Sequence, residues 1–502
     1  MKKTRLFPAV IILVVFFVSC EGAYNGNKIK FNRLSEGSFY AQRMDTGKHY
    51  ILEAEILANG TQCVIWAEKG SGVTPAKAEE IAETYDSFIR PEIVEAFGKK
   101  DFYTDSSGKE VDISYSGQKS HFNDILDYAN ELAGRKNKKL TILLLDIKDG
   151  YTAGSDSYVA GYFSAINFYN IPNSNLKDMI YIDTYPGLES ADRVYATLAH
   201  ELQHLINFVT SNLLGRGLTD TWIDEGLSAQ AEYLYYKTNP DDKIKWFIND
   251  KAGTIAKGNN FFVWDNHKED ARSILDEYAT VYLFFRWLYL QAKAKELHSE
   301  LFYNISTSQQ YNFQAVTDIA GGINTDWDTW ENLLGTWLAA NYYPDNSYGY
   351  TGDYDLMGTI KVNTITTLGN SIELYPGEGV YSNIADSFNP SSEGGNIRYA
   401  EISGNSPDIN TLSPFTRDTL ITFNASTNQK GDRETGSLAG LSSIVPLAQA
   451  GQMLSVEFEA APMEPAVPAE PKIPYVLDAR DVLGRNMEDQ FQFTPGPATV
   501  FE

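Results

Sequence analysis

SADRVYATLAHELQHLINFVT, Ser190–Thr210, is the stretch from which the rest of the chain is read. It holds no Pro or Gly, and its apolar residues recur at helical spacing, which predicts an α-helix. On such a helix His200 and His204 stand four residues apart and share one face. Two neutral imidazoles so placed can grip one metal ion, at roughly 2.0–2.1 Å each for zinc. Glu201 then lies beside the ion, where its carboxylate can take a proton from the activated water. Val194, Leu198, Leu202, Leu205 and Phe208 or Val209 fall mostly on other faces and would anchor the helix in a core.

A catalytic zinc needs a third protein ligand and one open position. TWIDEGLSAQAEY starts at Thr221, 17 residues after His204. The connection from Ser211 to Asp220 predicts a helix–loop–helix, with Gly215 and Gly217 breaking the first helix and Asp220 or Thr221 capping the second. Glu225 is the expected third ligand. Its neighbour Asp224 is the rival, because adjacent helical positions differ by about 100°. Glu232 lies seven residues on, along the same face. It fits either a hydrogen bond to the free ring nitrogen of a ligand histidine or an ordinary solvated acid.

Together HELQHLINF and TWIDEGLSAQAEY resemble the gluzincin metallopeptidases, and most of all the hyicolysin family of bacterial secreted neutral metalloproteases. The phrase from Trp222 to Gly226 is also similar to zinc aminopeptidases. The likeness is specific over 192–236 and looser over about 75–345. It implies an α+β, thermolysin-like peptidase unit with a mixed sheet and a helical subdomain. It also implies one catalytic Zn2+ on His200, His204 and Glu225, Glu201 as general base, and a peptide or protein substrate. Hyicolysin-like chains often carry Asn where this one has Asp224, a change with no evident mechanistic consequence. In gluzincins the sheet edge beside the active-site helix takes substrate as an added strand, which would set 151–170 along the cleft. They commonly draw an oxyanion donor, Tyr or His, from the following helical half. Tyr278, in the helical pattern SILDEYATVYLFFRWLYL (Ser273–Leu290), is the first candidate, ahead of Tyr282 and His267.

The flanks agree with a sheet beside the metal helix. KLTILLLDI (Lys139–Ile147) is an apolar run of strand length, and DMIYIDTYPG (Asp178–Gly187) alternates before a Pro-Gly stop. Five units are expected. Residues 1–19 are a lipoprotein signal peptide, 20–75 a small β module with an Asn-Gly turn at 59–60, and 76–345 the metallopeptidase domain. Residues 346–460, with β-like runs at 359–362 and 419–423, form a β-rich accessory domain. Residues 461–502 are a spacer and tail, with Pro462, Pro465, Pro468, Pro471 and Pro474 at the polyproline II repeat.

MKKTR supplies a basic n-region, and Leu6–Val18 an apolar core of 13 residues, short of the roughly 20 needed to span a bilayer. The run to Cys20 resembles a lipobox, with Phe17 in place of the usual Leu. A lipidated Cys20 would tether the protein to the bacterial cell envelope, periplasmic or outer, with ordinary signal cleavage as the alternative. Cys63 would then have no intrachain partner. Removing residues 1–19 takes away two Lys and one Arg and no acid, moving the formal charge from −25 to −28. So acidic a chain is ill suited to nucleic acid. The expected function is an exported, lipid-anchored zinc metalloendopeptidase. A zinc aminopeptidase-like exopeptidase is less favoured, because no Gly-x-Met-Glu-Asn-type segment is present to grip a free amine. A non-enzymatic surface lipoprotein is disfavoured by the intact Glu201.

Overall fold

The first three strands, β1 (Ser38–Gln42), β2 (His49–Asn59) and β3 (Cys63–Glu68), pair antiparallel in sequence order, and β3 alternates buried and half-buried residues at period two. The computed structural model describes residues 34–98, 139–153, 157–168, 172–213, 216–249, 274–360, 362, 371–383, 388, 395–402, 407–409, 419–428, 434–437 and 475–478. The signal segment with Cys20, His267 and the proline repeat lie outside these residues. Cys63 is a buried free thiol. The Asn-Gly turn between β2 and β3 is held from outside: the Asp86 carboxylate accepts from the backbone amides of Thr61 and Gln62.

β3 does not end a module. It pairs parallel with β4 (Leu140–Leu145), and β4 pairs parallel with β6 (Met179–Asp183). β5 (Ser157–Phe163) runs antiparallel to β6, and Tyr475–Asp478 adds a last strand, β13, parallel to β5. The seven-stranded order is β1-β2-β3-β4-β6-β5-β13. The division expected at residue 75 therefore falls inside one sheet, because alternation reports that a strand has two faces and not which strand lies beside it. All six residues of β4 are buried, as its unbroken apolar run requires. Ile142 and Leu144 face the main core with Ile180 and Ile182, whereas Leu143 and Leu145 meet Phe39, Leu52, Met179 and Tyr181 on the other face.

The helices begin with α1 (Pro75–Thr84), where Pro75 opens the first turn and the Thr74 hydroxyl accepts from the Lys77 amide at 3.2 Å. The chain continues helically through a π turn, α2 (Arg90–Ile93) and a second π turn to Gly98. After β6, the Asp183 carboxylate accepts from the Gly187 and Ile147 amides, both at 2.9 Å, pinning the turn that launches α3 (Ala191–Leu213). Next come α4 (Thr221–Tyr236), α5 (Asp241–Asn249), α6 (Ile274–Lys293), α7 (Leu301–Ser306), α8 (Phe313–Ile323), α9 (Trp330–Tyr342) and α10 (Tyr354–Thr359). An aromatic block of Trp222, Phe284, Phe285, Trp287, Trp330 and Trp337 joins α4, α6 and α9. Of the β-like run expected at 359–362, Thr359 instead closes α10, whose N-cap Asp353 accepts from the Leu356 amide, and Ile360 follows in extended backbone.

Beyond α10, β8 (Gly379–Asn383), β9 (Ile397–Ile402), β10 (Pro407–Ile409) and β11 (Thr419–Asn424) form an antiparallel sheet in the order β10-β9-β11-β8. β7 (Ser371–Leu374) and β12 (Glu434–Ser437) form a separate pair. This layer leans on α9: the Tyr381 hydroxyl donates to the Leu338 carbonyl at 2.9 Å and Arg398 to Glu331 at 2.7 Å. Helices and mixed sheets together give the α+β class. No helix among the described residues is long and apolar enough to cross a membrane.

Candidate metal centre and cleft

α3 and α4 meet along an unusual seam. Both are buried over most of their length, yet the facing positions are polar: His200, Gln203, His204 and Asn207 against Asp224, Glu225, Ser228 and Glu232. The first set recurs at i, i+3, i+4 and i+7, and Glu225, Ser228 and Glu232 at i, i+3 and i+7, with Asp224 one position before them, one stripe per helix. Asp220 begins α4 through its carbonyl, which accepts from the Ile223 and Asp224 amides at 2.9 and 3.0 Å; its side chain is not the cap acceptor.

Within the seam three ligand atoms converge. Glu225 Oε2 lies 3.4 Å from His200 Nε2 and 3.5 Å from His204 Nε2, and one ligand atom from each residue falls within 4.8 Å of the others. Asp224 is not part of that group. The other ring nitrogens are occupied: His200 Nδ1 is 2.7 Å from Glu232 Oε1, and His204 Nδ1 is 2.9 Å from Ser228 Oγ and 3.1 Å from Asp224 Oδ1. Ser228 Oγ also lies 2.5 Å from Gln203 Oε1 and 2.9 Å from the Asp224 carbonyl, two acceptors that compete for its one hydrogen, so its oxygen is left to accept from His204. This network assigns the proton of each neutral ring to Nδ1 and the lone pair to Nε2. Two imidazole lone pairs and a carboxylate oxygen then point at one buried position. Such a set repels itself unless a cation lies between, and it suits a borderline-soft divalent ion.

A proton can take the cation's place. Burial pushes the His200 imidazole down, but its hydrogen bonds to Glu225 and Glu232 outweigh this and raise it to about 9. Glu232 goes the other way: burial pushes its carboxyl up, yet Lys243 and His200 pull it down to about 2. Lys243 Nζ sits 2.6 Å from Glu232 Oε2.

Support reaches further back. Asn207 Nδ2 donates to Asp224 Oδ1 at 2.5 Å, the Thr219 hydroxyl donates to Asn207 Oδ1 at 2.9 Å, and Arg216 donates to Thr219 and to the Ser306 carbonyl. On the opposite side of α4, a Cβ at Gly226 would sit 2.2 and 2.3 Å from Phe285 Cδ2 and Cε2. The residue beside Glu225 therefore has to lack a side chain for α4 and α6 to approach as they do.

The centre opens into a cleft of about 790 Å³, walled by α3, α4, α5, the first turns of α6, and α10. His200, Glu201, Glu232, Lys243 and Tyr278 line it. Tyr278 thus shares the space with Glu201. Tyr282 does not: it is fully buried, and its hydroxyl donates to Asn239 Oδ1 at 2.6 Å. None of the described residues of 151–170 lines the cleft. β5 instead packs on α3 from the sheet side, where Gly161 admits Thr197 of the turn before His200; a Cβ there would meet Thr197 Cγ2 at 2.7 Å. The far wall is tied by a buried ion pair, Arg286 to Asp353 at 2.8 Å, with Arg286 stacked over the Tyr233 ring at 3.7 Å.

Reading residue types in sequence did not find Gln203, Asn207, Thr219, Ser228 or Lys243. The signal for Gln203, Asn207 and Ser228 was present as polar residues at helical spacing on largely buried helices; Thr219, in the connection, and Lys243 carry no such mark.

No family model matches the chain. Over 281 residues it is 29% identical to "Neutral metalloprotease ShpI" of Staphylococcus hyicus, an overlap of 54% of this chain and 54% of that protein. The chain thus spans about half the length of the curated relative it matches. The likeness to the bacterial neutral metalloproteases drawn from the two motifs is borne out by this relative.

Proposed function

We propose that this chain is a neutral zinc metalloendopeptidase of the gluzincin kind, with His200, His204 and Glu225 as metal ligands and Glu201 as general base. The observation that carries the reading is the convergence of His200 Nε2, His204 Nε2 and Glu225 Oε2, each ring turned toward that point by a hydrogen bond at its other nitrogen. Zinc, when bound there, supplies Lewis acidity that polarises a scissile carbonyl and acidifies water. Glu201, on the cleft side of α3, takes the proton of the attacking water and returns it to the leaving amine. Tyr278 donates its hydroxyl hydrogen to the developing oxyanion. The cleft, about 790 Å³, is of a size to hold several residues of an extended peptide. The further proposals, export and anchoring through a lipidated Cys20, rest on residues 1–20 alone.

A soluble form comprising residues 21–502 should cleave casein, lose that activity with a chelator and regain it with zinc. Glu201→Gln should bind zinc stoichiometrically and cleave nothing. Stoichiometric zinc with no cleavage of any protein substrate would overturn the endopeptidase reading in favour of a restricted exopeptidase or a binding protein. Cys20→Ala should release the full-length protein from the membrane fraction; unchanged partition would remove the anchor.

A further inference from the structure

We propose that Lys243 is a positioning residue for the metal centre: from α5 it clamps the outer oxygen of Glu232, so that the inner oxygen keeps the His200 ring aimed at the metal position. The inference rests on the metal-centre reading above and extends it to a residue outside both motifs.

Glu232 is held at both ends of its carboxylate. Oε1 meets His200 Nδ1 at 2.7 Å and Oε2 meets Lys243 Nζ at 2.6 Å, and the three side chains are only 10–11% exposed. A carboxylate fixed at one oxygen can still swing about its Cγ–Cδ bond; fixed at both, it cannot. The second contact is a charge-assisted hydrogen bond, about twice as strong as a neutral one. Its removal would leave a buried negative charge without its cation, a strongly unfavourable state. Relief is close at hand, because Glu232 lines the cleft and can turn its freed oxygen toward water there. That turn takes Oε1 off His200 Nδ1 and frees the ring to rotate.

The fold brings Lys243 to this place by a sharp corner. α4 ends at Lys237 in the left-handed conformation (φ 57°), a short turn with Pro240 follows, and α5 sets Lys243 back against the last turns of α4. Eleven positions separate Lys243 from Glu232, about 16 Å along a continuous helix, so their contact depends on the corner. Lys243 also lines the cleft, which leaves a competing role as a substrate contact. The two roles give different readouts.

The test uses the full-length chain as wild type, Lys243→Met, Lys243→Gln, Lys243→Arg, Glu232→Gln and the double variant Glu232→Gln/Lys243→Met. Zinc affinity is measured by competition with a chromophoric chelator, and ligand geometry by the visible spectrum of the cobalt(II)-substituted protein. Loss of Lys243 should weaken zinc roughly 10- to 100-fold, the range for partners that orient metal ligands, and shift the cobalt bands. Lys243→Arg should recover most of the affinity. In the Glu232→Gln background, where no carboxylate charge needs a clamp, Lys243→Met should change zinc affinity no further.

Wild-type zinc affinity and cobalt spectrum in Lys243→Met would overturn the proposal. So would an effect confined to KM at saturating zinc, or full additivity in the double variant. If Lys243→Met does not fold, Lys243→Arg and the double variant carry the comparison. A wild-type chain that holds no zinc would instead remove the metal-centre reading itself.

Discussion

Gly226→Ala sets two effects of known sign against each other. In a helix interior, alanine is favoured over glycine by about 0.5–1 kcal/mol, so propensity alone says the variant is stabilised. The packing says otherwise. The new methyl would lie 2.2 Å from Phe285 Cδ2, where carbon atoms prefer about 3.5–4.0 Å, an overlap of more than about 1 Å. The ring has nowhere to go: Phe285 is fully buried, stacked on Trp222 at 5.8 Å and edge-on to Phe284 at 5.3 Å. Overpacking of this kind costs about 1–3 kcal/mol, and a rigid ring puts it at the upper end. The net expectation is a loss of about 2 kcal/mol, a fall in Tm of roughly 4–8 °C for a unit of this size. Relief by moving α4 also displaces Glu225, so zinc should bind about tenfold or more weakly. Thermal unfolding in chelator isolates the packing effect, and titration with zinc measures the displacement. A chelated Gly226→Ala protein that melts at or above the wild-type temperature would refute the reasoning, because propensity would then have outweighed the clash.

Tyr278→Phe should keep zinc and KM near wild type and lower kcat about 10²–10³-fold, the usual effect of losing one oxyanion donor. Steady-state kinetics on a peptide substrate decides it, and full turnover would dismiss Tyr278. Asp353→Ala leaves Arg286 buried without its partner and should cost about 3–5 kcal/mol in denaturant titration. An effect below about 1 kcal/mol would show that the far wall is not tied through this pair. In chelated protein, His200 is raised from its usual 6.5 to about 9. Stability from this shift is fully present below pH 6.5 and is lost as pH rises through about 9. Melts in chelator should therefore show Tm falling between pH 7 and 9, a trend that zinc abolishes by requiring the neutral ring. A flat chelated profile would contradict the shared proton.

The motifs were legible because they depend on one helix at a time. His200 and His204 share a face by spacing alone, and the short connection between Leu213 and Thr221 brings Glu225 back alongside. What spacing cannot give is how two helices are rotated about their axes. Asp224 and Glu225 are equivalent in sequence until α4 is docked, when Glu225 reaches both Nε2 atoms and Asp224 meets the back of His204. Tyr278 and Tyr282 likewise share a face of α6, yet one lines the cleft and the other is spent on Asn239. Lys243 was invisible because its pairing is made by a corner between helices. The strands show the same limit. β4 announces itself by its unbroken apolar run, but nothing in β3 says that β4 is its neighbour. Thr359 misled because β-branched residues favour strands, whereas the Asp353 cap commits the preceding segment to a helix.

The last strand of the large sheet sets an order of assembly. β5, SYVAGYF, carries no charge, and among the described residues its outer edge is paired by β13, roughly 310 residues later. At about 5–20 residues per second, synthesis leaves that edge open for roughly 15–60 s after β5 is made. An uncharged, aromatic edge of this composition is the kind that joins other chains. Folding yield, more than final stability, should therefore depend on how soon Tyr475–Asp478 arrives.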